Sequence, residues 1–109
     1  HASSRAVDIE LAPDSLRLID PVDGVLVHAN HLMDPKETGV SEPENPRRHL
    51  SEFRHSRMEK KLNEQKPLNV DIVQEILKDH DHQPQSLCRH RDDSLPESQH
   101  TITKTAMIM

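Results

Sequence analysis

The chain has 109 residues, a formal net charge of −5 and a single aromatic residue, a phenylalanine. Aromatic side chains normally supply much of the buried area of a core, so this composition predicts one small domain with a thin core. The 14 basic and 19 acidic residues are interspersed, which argues against a basic stripe for nucleic acid. No apolar run approaches the roughly 20 residues that a membrane span requires, so no membrane association is expected.

The chain has one cysteine, Cys88, which excludes an internal disulfide framework and favours a reducing, cytoplasmic location. It begins with His1 rather than Met, without a secretory signal, and it stops within residues of strand composition. We therefore expect residues 1–109 to be a piece of a longer chain.

Residues 5–32 predict three antiparallel strands joined by short turns. Along residues 5–11 the side chains alternate between polar and apolar, so Ile9 is expected to face the core and Glu10 to face solvent. Residues 16–19 predict the second strand.

The third strand is predicted at residues 25–32, after a turn at Asp23-Gly24. Alternation places His28 and Asn30 on one face, near the polar end of the strand. An asparagine amide held by rigid backbone can donate a hydrogen bond to a developing oxyanion, which makes Asn30 a candidate catalytic residue. The alternative is a strand that simply turns polar where it meets solvent.

A proline-bearing surface loop at residues 33–48 separates the strands from a predicted helical hairpin. Residues 49–66 carry apolar side chains at helical spacing, and Pro67 ends that helix. Asn69 is a suitable N-cap for a second helix at residues 70–79.

The remaining sequence predicts a polar loop at residues 80–100 and a strand at residues 101–109. Strands followed by helices, without a regular alternation of the two, indicate the α+β class. The whole segment is interpreted as a single, partial catalytic domain.

The nine histidines suggest a metal-binding protein as one alternative. His28 and His31 are three apart, so on a strand they lie on opposite faces and cannot readily chelate one ion. His80 and His82 are two apart, but convergent ligands with a supporting shell are not evident. We therefore predict no metal site.

Cysteine and arginine side chains are two further kinds of candidate functional group. Cys88 is flanked by Arg89 and His90, which favour a thiolate, but neighbours in an extended chain point apart and no positioned base is evident. Arg57 and Arg89 are candidate anion anchors, because the guanidinium fork suits carboxylates; surface ion pairs are the alternative. Arg89 and His28 are predicted to contact substrate.

Five stretches distributed over the chain carry a family resemblance: AVDIEL at 6–11, VHANHL at 27–32, SRMEKKL at 56–62, VQEILKDH at 73–80 with SLCRH at 86–90, and TITKTAMIM at 101–109. In this order they resemble the acyl-coenzyme A:6-aminopenicillanate acyltransferase (isopenicillin N acyltransferase-like) family of the Ntn hydrolases.

The resemblance implies a four-layer αββα sandwich and a precursor that cleaves itself in front of a cysteine. That cysteine becomes the N-terminal nucleophile, its α-amino group serves as base, and the substrate is an amide or an acyl-coenzyme A thioester. Asn30 falls on the asparagine that stabilises the oxyanion, and no cofactor is implied. Ala29 stands where the family usually has threonine, and Cys88 matches a non-catalytic cysteine.

On this interpretation the nucleophile lies outside the chain, which is expected to be inactive alone and to need the remainder of its domain or a companion subunit. The alternative is a non-enzymatic α+β module that binds a protein partner through its acidic, proline-bearing loops.

Overall fold

A computed structural model of the protein describes residues 5–41, 43–83 and 85–107. They form two compact units, the first ending at His55 and the second beginning at Ser56. The elements are β1 (Asp8–Ala12), β2 (Ser15–Ile19), α1 (Pro35–Thr38), α2 (Arg48–Glu64) and α3 (Val70–Leu77), then a 3-10 turn at Glu97–Gln99. The fold is therefore α+β with a two-stranded antiparallel sheet, as the sequence predicts at the level of class.

In the hairpin of β1 and β2, the buried face is the polar one, which the sequence predicts to face solvent. Glu10 lies opposite Arg17, and Ile9 lies opposite Leu18. Only 3% of Glu10 is exposed, whereas Ile9, Leu11, Leu16 and Leu18 are 51%, 72%, 59% and 53% exposed. The alternation was predicted correctly, but the prediction of which face is covered was wrong.

Hydrogen bonding explains why the carboxylate of Glu10 can be buried. Its Oε1 accepts from the backbone N–H of Met33 at 2.6 Å. Its Oε2 makes no hydrogen bond among the described residues but forms an ion pair with Arg17 Nη1 at 3.6 Å. A buried charge is tolerated when it is paired and hydrogen-bonded. The segment after the hairpin therefore covers the polar face of the sheet, and Ser15 Oγ adds a bond to Thr38 O at 2.7 Å.

The predicted strand at residues 25–32 is wrong, because its backbone groups bond to side chains instead of a third strand. Val22 and Val25 form an isolated bridge around a tight turn, in which Asp23 and Gly24 have positive φ. Beyond it, His55 Nε2 donates to Val27 O at 3.1 Å. No ladder partner for this stretch occurs among the described residues.

The predicted loop at residues 33–48 and the predicted last strand also need correction. The loop after the hairpin contains the short helix α1, because the Asp34 carboxylate caps Lys36 N at 3.0 Å and Gly39 ends the turn with a φ of 68°. The predicted strand at residues 101–109 is wrong over residues 101–107, and residues 108–109 lie outside the described residues. Thr103 makes one backbone bond, from its N–H to Arg89 O at 3.0 Å, rather than a ladder.

The two helices were predicted correctly, with α2 and α3 within two residues of their expected ends. Asn69 caps α3 as expected, because its Oδ1 accepts from Ile72 N at 2.8 Å. Ile76 is 1% exposed and Leu62 is 8% exposed, so these two side chains belong to the thin apolar core.

An ionic cluster anchors the loop after α3 to helix α2 within the second unit. Arg57 donates to both carboxylate oxygens of Asp79 and to Asp81, with 3.0 Å from Nη2 to Asp79 Oδ1. Lys61 Nζ lies 3.7 Å from Asp79 Oδ2. Hydrogen bonding from Arg57 holds the pKa of Asp79 below its usual range, although burial opposes this.

We predict that Asp79→Asn lowers the free energy of unfolding at pH 7 by roughly 1–3 kcal/mol, the cost of losing charge-assisted hydrogen bonds in a buried site. The folded-state pKa of Asp79 lies below its unfolded value, so the stabilisation is complete above about pH 4 and is lost as the pH falls through the folded-state pKa. Urea unfolding of the parent chain and of Asp79→Asn between pH 7 and pH 2 would measure the difference in their free energies of unfolding.

The matched control is Asp93→Asn, which breaks the exposed ion pair between Arg91 and Asp93. It should change stability little at any pH. Equal effects of the two substitutions, or a gap that does not narrow in acid, would contradict the role assigned to Asp79.

Candidate functional site

The side chain of Asn30 is oriented by an arginine of helix α2. Arg54 Nη2 donates to Asn30 Oδ1 at 3.2 Å, and Arg54 Nη1 donates to Leu50 O at 2.9 Å. A guanidinium has donors only, so the amide atom that faces it must be the oxygen. The Nδ2 group of Asn30 therefore points away from Arg54 and can donate to another acceptor.

Asn30 lies at a cleft in the first unit. The cleft has a volume of about 380 Å³ and is lined by Asn30, His31, Pro43, Glu44, Asn45, Pro46 and Arg48. Arg48 is held by Glu52, at 2.7 Å from Nε to Oε1, and by Leu32 O at 3.3 Å. An amide donor and a guanidinium thus border one cleft together with the carboxylate of Glu44, and both donors can bind an oxygen acceptor.

His31 borders the same cleft and is fixed by a buried serine. His31 Nδ1 lies 2.8 Å from Ser51 Oγ, and Ser51 is 4% exposed. The His55 ring meets the His31 ring edge to face at 5.8 Å between centroids. Burial lowers the pKa of His31, and the nearby charge of Arg48 lowers it further, so the imidazole is neutral at pH 7.

Sequence reasoning missed Ser51 and His55 as supports of the site. They are four residues apart in α2 and so share one helix face, which was the available signal. Their partners at His31 and Val27 lie in coil, and periodicity does not reveal contacts between a helix and a coil.

The other predicted site residues make contacts of their own within each unit. His28 lies against the hairpin, with Nε2 at 3.4 Å from Glu10 Oε1 and 3.8 Å from Asp8 Oδ2. Arg89 belongs to the second unit, where its backbone N–H donates to Thr103 Oγ1 at 3.0 Å. Its Nε is shielded from solvent and has no hydrogen-bond partner among the described residues.

Two other predicted groups also lie in the second unit. Arg57 is engaged by Asp79 and Asp81, so the ion-pair alternative applies to it. Cys88 borders a second cavity of about 560 Å³ together with Val70, Leu77 and residues 103–106.

Comparison with known protein families shows the family to which the chain belongs. A sequence model of the acyl-coenzyme A:6-aminopenicillanic acid acyl-transferase family matches residues 2–109. The chain belongs to this family. The resemblance carried by the five short stretches is thereby confirmed, and an acyltransferase-like domain is established over nearly all of the segment. No curated protein and no solved structure matches the chain.

A separate finding concerns membranes. Among the helices of residues 5–41, 43–83 and 85–107, none is long and apolar enough to cross a bilayer.

We predict that His31 releases its proton below the ordinary histidine value of about 6.5, because burial and Arg48 both disfavour the imidazolium. Titration of the imidazole ring protons by NMR would give the midpoint, and the signal lost in His31→Gln would assign it. The same chain in concentrated urea is the control, and its histidines should titrate near the ordinary value. A His31 midpoint at or above the urea value would contradict this description of the site.

Proposed function

We propose that this segment is part of an Ntn-type acyltransferase or amidohydrolase in which Asn30 stabilises the oxyanion of the tetrahedral intermediate. The observation that carries the proposal is the amide of Asn30, which Arg54 fixes with its nitrogen free to donate at the edge of a cleft. Family membership supplies the chemistry of acyl transfer. The geometry supports Asn30 as the donor that this chemistry requires.

The contribution of such a donor depends on its being fixed before the reaction. When a nucleophile attacks an amide or thioester carbonyl, negative charge grows on the carbonyl oxygen. A donor already in place stabilises that charge without reorganising, and losing one donor costs on the order of 10²–10³ in turnover. Arg54 orients the amide by its hydrogen bond to Oδ1, so Nδ2 is in place as the donor.

Cys88 does not fit the nucleophile of this mechanism. An N-terminal nucleophile needs a free α-amino group as its base, whereas the backbone nitrogen of Cys88 is an amide that donates to Asp79 O at 2.9 Å. Cys88 is also the single cysteine of the chain. We therefore propose that the nucleophile comes from the remainder of the catalytic domain or a companion subunit, and that these 109 residues are inactive alone.

The hairpin supports the finer fold proposal. A four-layer αββα sandwich stacks two sheets through apolar faces, and the face formed by Ile9, Leu11, Leu16 and Leu18 is apolar and open. We infer that another layer of the domain covers it.

Arg89 is retained as a proposed substrate anchor, and its candidate substrates are acyl-coenzyme A thioesters and small amides. His28 is a weaker proposal, because carboxylates face it. The single cysteine supports a reducing compartment, and we propose the cytoplasm.

We predict that Asn30→Ala, made in the complete polypeptide that contains this segment, matures normally but lowers kcat on the order of 10²–10³. KM should change less, because the interaction forms mainly in the transition state. Release of p-nitroaniline from acyl p-nitroanilides and of coenzyme A from acyl thioesters would measure both constants.

Asn45→Ala is the matched control, since Asn45 borders the same cleft but its Oδ1 accepts from Arg47 N at 2.9 Å. It should leave kcat within a fewfold of the parent. Unchanged turnover in Asn30→Ala would remove Asn30 from the mechanism. Intact mass and N-terminal sequencing of the native protein would show whether a cysteine opens the mature chain.

A second candidate function is a module that binds a protein partner, and the open apolar face of the hairpin favours it. Contiguous exposed apolar side chains on a sheet mark interaction surfaces in soluble proteins. In that case the face would bind a separate protein rather than a layer of the same domain.

We predict that the isolated chain self-associates through this face and that Leu11→Lys combined with Leu18→Lys reduces the association, because charges on the face disfavour apolar contact. Light scattering across a concentration series would give the apparent mass. Val22→Lys is the control, since Val22 and Leu11 are both 72% exposed but Val22 lies outside the hairpin. A monomeric parent chain would contradict the prediction.

A further inference from the structure

Three side chains of the second unit converge at one point. His80, Cys88 and His90 each place a potential ligand atom within 4.8 Å of the other two. The Nε2 atoms of His80 and His90 are 2.8 Å apart, and Cys88 Sγ lies 3.9 Å from His90 Nε2. The two imidazole rings stack with centroids 4.9 Å apart and planes inclined by 20°.

From this arrangement we propose that His80, Cys88 and His90 form a binding site for a zinc-class transition-metal ion. Tetrahedral zinc with bonds of about 2.0–2.1 Å to nitrogen and about 2.3 Å to sulfur separates its ligands by about 3.3–3.6 Å. The His80–His90 and Cys88–His90 separations of 2.8 and 3.9 Å lie on either side of this range, and the third separation is within 4.8 Å. A bound ion would replace the hydrogen bond between the two imidazoles, and side-chain rotation would bring the three atoms to these separations.

The donor set selects the class of ion. Two imidazole nitrogens and a thiolate suit zinc, cobalt and copper, whereas magnesium and calcium prefer oxygen ligands. Three protein ligands leave a fourth position open to water or an exogenous ligand. The site is reached from solvent, because His80 and His90 are exposed and Cys88 is half-buried.

The backbone around Cys88 holds this ligand in place. Its N–H donates to Asp79 O at 2.9 Å, and its carbonyl oxygen accepts from Ser86 Oγ and from Gln83 Nε2 at 3.0 Å. Ser86 is fully buried. Because the cysteine is fixed before an ion arrives, binding orders few additional groups.

Neighbouring contacts position the two histidines. His80 directly follows Asp79, whose carboxylate is clamped by Arg57. His90 directly follows Arg89, whose backbone exchanges hydrogen bonds with Thr103. Each histidine is thus one residue from an anchored position, although ten residues separate the two in the chain. The sequence analysis predicted no metal site because convergent ligands were not evident, and the convergence of His80 with Cys88 and His90 depends on tertiary contacts.

The test is a titration of the purified 109-residue chain with Co²⁺ under reducing conditions. We expect saturation at a single equivalent, with a near-ultraviolet thiolate-to-cobalt charge-transfer band that Zn²⁺ abolishes by displacement. Cys88→Ser should remove the band. His90→Gln should weaken Zn²⁺ binding, measured by competition with a chromophoric chelator, by at least the 10–100-fold that loss of a supporting group typically costs.

His49→Gln is the matched control, because it removes an exposed histidine on α2 that is not part of the cluster. It should bind both ions as the parent does. Helical circular dichroism of each variant checks folding, and the exposed His90 provides a variant that does not depend on the tolerance of Cys88 to change. Absence of the charge-transfer band in the parent, or a band or affinity unchanged by Cys88→Ser and His90→Gln, would overturn the proposal.

Discussion

The buried carboxylate of Glu10 is the interaction on which the first unit depends. It joins the sheet to the coil, because it accepts the Met33 N–H while facing Arg17 across the hairpin. Removing one partner of a buried charge is costly, so this contact fixes which side of the hairpin is covered. The segment that carries Asn30 is consequently held against the polar side, and the apolar side is left open.

Local signals predicted those parts of the fold that are locally determined. Helix spacing, Pro67 and the Asn69 cap located the two helices α2 and α3, because each acts within a turn or two of the chain. Strand composition located β1 and β2 but overestimated residues 25–32. A strand exists only if a neighbour accepts its ladder, and the presence of that neighbour is not encoded in the alternation of the segment itself.

For the candidate site, the sequence predicted which residue types can react but not which side chains contact each other. Asn30 was identified from its chemical type and from the family resemblance, whereas its orientation depends on Arg54, 24 residues away. The support of His31 by Ser51 and the convergence of His80 with His90 also depend on contacts between distant segments. Residue type indicates which groups can react, but tertiary packing decides which of them meet.

The fork between Arg57 and Asp79 has a consequence for ionic strength. Dissolved ions screen charges that solvent separates, with a Debye length of about 8 Å at physiological salt, but they act weakly on a pair shielded from water. The side chain of Asp79 is 6% exposed, whereas those of Arg91 and Asp93 are 63% and 83% exposed. Concentrated salt should therefore weaken the exposed pair of Arg91 and Asp93 and leave the fork that anchors the loop carrying Cys88 in place.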